Sequence, residues 1–345
     1  MDPGFVSPAG SVATAGQPLP LDSPVYIPRG DNRANSLEAK CGEAIANPGG
    51  LLRIRGAQGT GKTSLLHHLA AARPDYASAY CSLASLKPWA VQGLDEFLQD
   101  FCAQVTAALQ LPNQLGDYWD DLFGSTISCK SYFEEYLLPT LGSPLVLLLD
   151  DVDSLFPVPH LADEFFGLLR AWHEDAKSRD VWGQLRLVVA HTMEVYIPLN
   201  VNKSPFNVGV PVELSPFQGE EICLLAAAYG FDLTAAEGEQ LQQLVGGWPQ
   251  LVHIALNQLG QGLTIAELAD AIASAPEPYG QILERQAAIL ANDPPLASAW
   301  AQVIKNQQPV SLAPPLALKL QSLGLVSLHQ QAASPSCLLY LTHLA

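Results

Sequence analysis

The chain has 345 residues, enough for two or three small domains around a sizeable core. Apolar residues make up 48% of it and charged residues only 15%, a composition that excludes a disordered protein. The net charge is −17 and no run of Lys and Arg occurs. Nucleic acid and anionic membrane surfaces are therefore disfavoured as ligands, because both bind through clustered positive charge.

Cysteine spacing and hydropathy give no sign of a metal site or a membrane segment. The six cysteines are scattered without a C-x-x-C pair, so we expect buried, reduced thiols and neither a zinc site nor a redox pair. No apolar stretch approaches the ~20 residues that a membrane helix needs, and the N-terminus lacks a signal-peptide pattern. We expect a cytoplasmic protein.

The first two thirds of the chain alternate between apolar strands and amphipathic helices, after a tail of Pro, Gly, Ala and Ser over residues 1–24 that we expect to be flexible. This alternation predicts an α/β fold with a parallel sheet. The predicted strands are Leu51–Arg55, Ala77–Leu83, Leu145–Leu149, Leu185–Ala190 and Val210–Leu214. The predicted helices are Lys62–Leu69, residues 93–110 and Leu161–Ala176.

The character of the sequence changes after Pro216. Residues 218–306 predict successive short helices separated by Gly-Gly and Asp-Pro-Pro breaks. A helix over Leu312–Leu323 is then followed by a strand over Leu325–Leu328, a polar turn and a second apolar run over Cys337–Leu341. A helix followed by a β-hairpin predicts a winged-helix unit at the end of the chain.

One segment matches the full phosphate-loop pattern G-x-x-x-x-G-K-[ST]. Its residues are Gly56, Ala57, Gln58, Gly59, Thr60, Gly61, Lys62 and Thr63. Glycines let the backbone turn its N–H groups toward a phosphate, and the following helix adds the positive end of its dipole. Lys62 can reach the β- and γ-phosphates, the Thr63 hydroxyl can bind Mg²⁺, and Ser64 is a further nucleotide contact. The alternative is an ordinary glycine-rich turn, but a strand and a helix flank the segment on the correct sides.

Three carboxylates follow the most apolar predicted strand: Asp150, Asp151 and Asp153. An Asp at the tip of a buried strand holds Mg²⁺ in P-loop NTPases, and Asp150 fits that role. Asp151 lies where an acid would orient the attacking water, and Asp153 could instead cap the next helix. The alternative is a solvated acidic turn, although clustered carboxylates repel one another unless a cation lies between them.

Three further candidate residues have equally ordinary explanations. His191 and Thr192 follow the strand Leu185–Ala190, where a polar side chain could sense the γ-phosphate or simply form a turn or helix cap. Arg170 lies on a predicted helix and could act as an arginine finger in a neighbouring subunit. More often such an arginine only solvates the face of a helix.

The order of motifs resembles the STAND class of signal-transducing ATPases, relatives of the AAA+ proteins that include NACHT and NB-ARC modules. The order is Tyr26–Arg29 before the first helix, the phosphate loop, the paired acids, Gly246–Leu251 at a helix start and the C-terminal winged helix. The sequence is more closely similar to the AAA-like domain family common in cyanobacteria, over about residues 20–343. The similar segments are Ser23–Tyr26, Ser131–Pro139, Phe165–Glu174, Glu194–Pro198, Ser204–Gly209 and Leu320–Leu328.

This resemblance implies a P-loop core over residues 25–215, a helical lid over 216–292 and a winged helix over 293–345. It implies that Tyr26 and Arg29 contact the adenine side of the nucleotide. Pro249, which can fix a helix start in the lid, would also contact the nucleotide. The cofactors would be ATP or ADP with Mg²⁺, and ATP is favoured because no Asn-Lys-x-Asp guanine motif occurs.

Three functions are compatible with these patterns. The first is a slow ATPase that acts as a switch in signalling or assembly, with a homo-oligomer or a partner protein; Asp151 in place of the Glu usual in AAA+ enzymes favours slow turnover. The second is an AAA+-type ATPase that works on DNA through its winged helix, which the acidic charge disfavours. The third is a scaffold that binds nucleotide without turnover.

Overall fold

The computed structural model describes residues 18–19, 23–30, 36–86, 93–120, 122–192, 205–306 and 308–344. Most of the predicted tail over residues 1–24 and the family-like segment Glu194–Pro198 lie outside these ranges. The chain forms two compact units. One unit contains Met1–Arg29, Gly56–Ser64 and Leu214–Ala345; the other contains Gly30–Arg55 and Leu65–Glu213.

The helices and strands of the first part of the chain follow the predicted alternation. The strands are β1 (Leu51–Gly56), β2 (Ala77–Ser82), β3 (Leu145–Asp150), β4 (Leu185–His191) and β5 (Val210–Leu214). The helices are α1 (Leu37–Ala46), α2 (Lys62–Ala71), α3 (Leu94–Ala108), α4 (Leu115–Tyr118), α5 (Ser125–Ser131), α6 (Leu138–Leu141) and α7 (Pro159–Asp175). A π-helical stretch over Tyr132–Leu137 connects α5 with α6.

Among the described residues, these strands form a five-stranded sheet in the order β2-β3-β4-β1-β5. The pairs β2–β3, β3–β4 and β4–β1 are parallel. Every residue of β3 and β4 is buried, as expected for strands covered on both faces. The strand β4 therefore lies between β1, which leads into the glycine loop, and β3, which ends in the acids.

The unit that contains most of the sheet has an aromatic-rich core. Phe97, Phe101, Phe133, Phe165 and Trp172 are fully or almost fully buried in it. Phe101 and Phe165 meet edge to face with ring centroids 5.1 Å apart, a geometry that adds to the stabilisation from burial alone. This core fixes α3, α7 and the π-helical stretch beside the sheet strands β2 to β4.

The other unit is mainly helical. Its further elements are α8 (Gly219–Ala228), α9 (Ala235–Val245), α10 (Pro249–Gly260), α11 (Ile265–Ser274), α12 (Gly280–Ala291), α13 (Pro294–Lys305), β6 (Val310–Ser311), α14 (Pro314–Ser322), β7 (Val326–His329), β8 (Ala332–Pro335) and α15 (Leu338–His343). Local sequence explains several helix starts: Thr234 with Glu237 and Thr264 with Glu267 form capping boxes, and Asp293 caps α13. One hydrophobic core, from Val25 to Leu344, joins all of these elements.

The predicted C-terminal hairpin is present, but its second strand was placed wrongly. The second strand is Ala332–Pro335, which pairs antiparallel with β7 and β6 in the order β6-β8-β7. The segment Cys337–Leu341, predicted as that strand, instead leads into the helix α15. Leu339 and Tyr340 are buried while Leu338 and Leu341 are exposed, so the two apolar pairs lie on opposite faces of one helical turn.

Two further expectations concern cysteines and membranes. All six cysteines fall within the described residues as free thiols, and five of them are buried. In the described part of the chain, no helix is both long and apolar enough to cross a bilayer.

Candidate functional site

The glycine loop leaves β1 at Gly56 and enters α2 at Lys62. Gly59 and Gly61 have φ values of +78° and +88°, a region that side chains other than glycine rarely adopt. The buried Lys62 ammonium donates hydrogen bonds to the carbonyl oxygens of Gly56 at 2.8 Å and Ala57 at 3.1 Å. The predicted lysine therefore lies against the start of its own loop.

Backbone hydrogen bonds connect the tip of the loop to two helices of the same unit. The N–H of Gln58 donates to the carbonyl of Ser322, at the end of α14, over 3.3 Å. The carbonyl of Gly59 accepts from the N–H of Gln250 over 3.2 Å. Gln250 directly follows Pro249, the first residue of α10. The Gly-Gly-Trp-Pro turn predicted to contact the nucleotide thus brings its next residue onto the glycine loop.

Arg29, predicted as an adenine contact, also binds the loop. Its guanidinium Nη2 donates to the carbonyl of Thr60 at 2.5 Å, and Nη1 donates to the carbonyl of Ser215. The guanidinium also lies 4.7 Å from the centre of the Phe217 ring, a cation–π geometry. Tyr26, the other predicted adenine contact, donates its N–H to the carbonyl of Ser23 in a turn.

A second contact from the N-terminal segment reaches the start of α2. The N–H of Leu19 donates to the hydroxyl of Ser64 over 3.1 Å. Ser64 was predicted to contact the nucleotide, and its hydroxyl here accepts a backbone hydrogen bond. Residues on both sides of the undescribed residues 20–22 therefore contact the segment Gly56–Ser64.

The paired acids belong to the other unit, where hydroxyl groups on β2 hold them. Asp150 is the last residue of β3, is only 1% exposed, and accepts a hydrogen bond on Oδ2 from the Tyr80 hydroxyl at 3.2 Å. Asp151 donates its N–H to Asp150 Oδ1 and accepts on Oδ2 from the Ser82 hydroxyl at 2.8 Å. Burial, and then the charge of Asp150, raise the pKa of Tyr80, so the phenol remains a donor at neutral pH.

Asp151 has an unusual backbone conformation. Its φ of +52° and ψ of +34° are left-handed, a region where Asp and Asn are enriched among residues other than glycine. This conformation ends β3 and turns the chain into the 3₁₀ turn Val152–Leu155. The two neighbouring carboxylates therefore take separate hydrogen-bond partners on β2.

The remaining candidates have simple local contacts. His191 ends β4, is buried, and meets the Phe206 ring edge to face at 5.1 Å. Thr192 donates its N–H to Asp153 Oδ1 at 3.2 Å, so Asp153 contacts the end of β4, and the N-cap of the next α-helix, α7, is Val158. Arg170 lies on α7, where its guanidinium pairs with Glu174 at 2.8 Å.

Sequence reasoning missed several residues that bind the glycine loop or the acids, among them Tyr80, Ser82, Gln250 and Ser322. For Tyr80 and Ser82 a signal existed, because polar residues end a strand that neighbours the acidic one in a parallel sheet. For Gln250 and Ser322 none existed, because both contact the loop through backbone atoms that are present in every residue.

The glycine loop between β1 and α2, the acids at the end of β3 and the intervening strand β4 define a P-loop NTPase fold. A family model for the AAA-like domain matches residues 14–345, and the chain belongs to that family. The more specific resemblance to STAND modules stays a prediction.

Solved structures share this fold at low sequence identity. The Walker-type ATPase PABY2304 of Pyrococcus abyssi is 14% identical with a TM-score of 0.61, over 89% of this chain and 94% of that one. The ORC2 protein of Aeropyrum pernix, solved in ADPNP–ADP complexes, is 16% identical with a TM-score of 0.55, over 90% and 91%. No curated protein matches the sequence.

Proposed function

We propose that this protein binds ATP with Mg²⁺ and is a slow ATPase whose nucleotide state switches an assembly or a signalling partner. The observation that carries the proposal is the bonding of the glycine loop. Gln58 and Gly59 are hydrogen-bonded to Ser322 of α14 and to Gln250 of α10, far along the chain from the loop itself.

The side chains of the two residue groups suit this chemistry. Lys62 would neutralise phosphate charge, and the backbone N–H groups of Gly56–Ser64 would bind phosphate oxygens. The hydroxyl of Thr63 and the carboxylate of Asp150 are hard oxygen ligands of the kind Mg²⁺ takes, and the ion would offset charge on the phosphates. Asp151 would orient the attacking water. The donor set, one hydroxyl and one carboxylate, fits the ion and supports this assignment.

The switch follows from the backbone contacts of the loop. A phosphate that rearranges the peptides at Gln58 and Gly59 would have to lengthen or reorient their hydrogen bonds to α14 and α10. Because α8 to α15 share one hydrophobic core, a shift of either helix would spread through it. In this proposal α8–α12 act as the lid, and α13–α15 with β6–β8 act as the winged-helix unit.

The nucleotide assignment is tested by the Lys62→Ala variant, with isothermal titration of Mg-ATP as the measurement. We expect no detectable binding, because the loop loses its only ammonium. The control is Lys177→Ala, which removes an exposed lysine that pairs with Glu174 on the protein surface. Unchanged affinity in the Lys62 variant would contradict the proposal.

Turnover separates this proposal from a nucleotide-binding scaffold. We expect slow phosphate release at saturating Mg-ATP, at a rate that the Lys62→Ala variant does not show. A protein that binds Mg-ATP without releasing phosphate above the rate of that variant would be a scaffold.

The absence of nucleic-acid binding stays a prediction from charge. Residues 293–345 contain only two lysines and no arginine. One of the two, Lys319, pairs with Asp293 at 2.5 Å. Retention on a DNA column at physiological salt would contradict the prediction and favour a DNA-directed ATPase.

A further inference from the structure

We propose that Arg29 is a positioning residue of the glycine loop, which orients the peptide between Thr60 and Gly61 for phosphate binding without itself contacting the base. The inference rests on the proposed function. It assigns the side chain a role different from the adenine contact that the sequence resemblance implies.

The Arg29 guanidinium contacts both the glycine loop and the segment that contains Ser215 and Phe217. It donates to the carbonyl of Thr60 through Nη2 and to the carbonyl of Ser215 through Nη1, while its face lies on the Phe217 ring. Phe217 is itself fixed, since it is 5% exposed and its N–H donates to the carbonyl of Gly247 at 2.7 Å. The arginine thus connects the loop to a rigid part of the same unit.

The geometry of the peptide between Thr60 and Gly61 determines where the Gly61 N–H points. In a trans peptide the C=O and the N–H of the next residue point in opposite directions, because the group is planar. A Thr60 carbonyl held on Arg29 therefore turns the Gly61 N–H away from Arg29. Gly61, with its φ of +88°, can accept this orientation, which residues other than glycine rarely adopt.

The neighbouring peptides of the loop obey the same alternation. The Gly59 carbonyl is held by Gln250, and the next N–H, that of Thr60, points back to the carbonyl of Ala57 at 3.3 Å. The Ala57 carbonyl accepts from Lys62, and the next N–H, that of Gln58, points out to Ser322. External partners thus hold one side of three peptides of the loop. Of these external partners, Arg29 binds a loop peptide through its side chain. A substitution of Arg29 can therefore remove that hydrogen bond.

The contacts of Arg29 suit an arginine better than a lysine. A guanidinium is a planar fork that can donate to two carbonyls and stack on a ring at the same time. A lysine ammonium is a single point charge and cannot reproduce the fork and the stacking together. We therefore expect Arg29→Lys to restore only part of what Arg29→Ala loses.

The experiment compares two ligands that share phosphates but not a base. Isothermal titration of Arg29→Ala, Arg29→Lys and the unmodified protein is carried out with Mg-ATP and with Mg-tripolyphosphate. We expect Arg29→Ala to lose about tenfold in affinity for both ligands equally, as for the loss of a charge-assisted hydrogen bond, with Arg29→Lys in between. The matched control is Arg73→Ala, which removes a partly exposed arginine paired with Asp75.

A loss confined to Mg-ATP would overturn the inference and assign Arg29 to the base, and unchanged affinity for both ligands would also overturn it. A second measurement does not depend on ligand at all. Hydrogen exchange of residues 56–64 in the nucleotide-free protein should be faster in Arg29→Ala than in Arg73→Ala. If the unmodified protein binds neither ligand, the proposed function fails, and the exchange rate alone decides whether Arg29 braces the loop.

Discussion

At the scale of single residues, the two adjacent acids have different surroundings. Asp150 is buried at the end of β3 and accepts from Tyr80, whereas Asp151 adopts a left-handed conformation and accepts from Ser82. A buried carboxylate can bind a cation, whereas the carboxylate of Asp151, which follows the strand, can hydrogen-bond a water molecule. Substitutions of Asp150 and of Asp151 should therefore have separable effects on nucleotide binding and on hydrolysis.

We predict that Asp151→Asn lowers phosphate release about a hundredfold with little change in Mg-ATP affinity, as for removal of a general base. Asparagine is also tolerated in the left-handed region, so the backbone should be retained. Asp150→Asn should instead weaken binding of Mg-ATP, because it removes a charge that would face the metal. Titration calorimetry and a phosphate-release assay separate the two effects, with the exposed Asp117→Asn as control. Equal effects of both variants on affinity would contradict the division of roles.

The sequence was sufficient to predict the acids and the loop because each is a local pattern with a fixed spacing. The parallel sheet could place the hydroxyl groups of Tyr80 and Ser82 near the acids, but the sequence was not sufficient to predict which acid each hydroxyl binds. Ser82 is opposite Asp150 in the parallel register, yet its hydroxyl binds Asp151. Asp151 also adopts a left-handed conformation, which no spacing rule predicts.

At the scale of elements, the strands of the sheet were predictable and the C-terminal hairpin was only partly so. The buried strands β3 and β4 are long apolar runs, whose burial on both faces agrees with their sequence. The hairpin turn, by contrast, consists of Gln330 and Gln331, which both have positive φ. Asn-Gly is the usual sequence for such a turn, so Gln330 and Gln331 did not locate the turn within the polar segment. The apolar run after Ser336 was therefore mistaken for the returning strand.

The helix α10 also contains a buried titratable group. His253 lies beside the Tyr229 hydroxyl, with Nδ1 and the oxygen 2.8 Å apart. Burial lowers the pKa of His253 from 6.5 to about 4. Between these values the unfolded chain binds a proton that the folded protein does not. The folded protein therefore becomes less stable as the pH falls from 6.5 towards about 4.

We predict that His253→Gln flattens the pH dependence of stability below pH 6.5, the ordinary value for this group. One such group changes the free energy of unfolding by up to about 1.4 kcal/mol per pH unit. Glutamine does not titrate but can still hydrogen-bond Tyr229. Urea unfolding followed by circular dichroism at mildly acidic and neutral pH measures the difference, and His160→Gln, an exposed change on α7, is the control. An unchanged pH slope in the His253 variant would contradict the assignment.

At the scale of the whole molecule, the net charge of −17 opposes self-association by general repulsion. Any assembly therefore has to overcome this repulsion, and in the proposed switch the triphosphate state supplies the trigger. Arg170 bears on the same question, because its ion pair with Glu174 within α7 would have to open before it could serve a neighbouring subunit.

We predict a larger species only with a triphosphate, measured by size-exclusion chromatography with light scattering in Mg²⁺ and ADP, ATP or a non-hydrolysable ATP analogue. Arg170→Ala should then lower turnover of the assembled form while leaving Mg-ATP affinity unchanged, since a finger acts on the transition state. The same mass in all three nucleotides would indicate a monomeric module and remove the case for Arg170 as a finger.

The glycine loop belongs to the same compact unit as residues Leu214–Ala345, although its own strand belongs to the other. This division affects how truncated fragments of the chain should be interpreted. A fragment ending near residue 215 would carry every residue of the phosphate-loop motif, yet it would lack Gln250 and Ser322, whose backbone atoms hold the tip of that loop. Failure of such a fragment to bind ATP would therefore report an unsupported loop. It would not show that the missing C-terminal residues touch the nucleotide, and full-length point variants are the informative alternative.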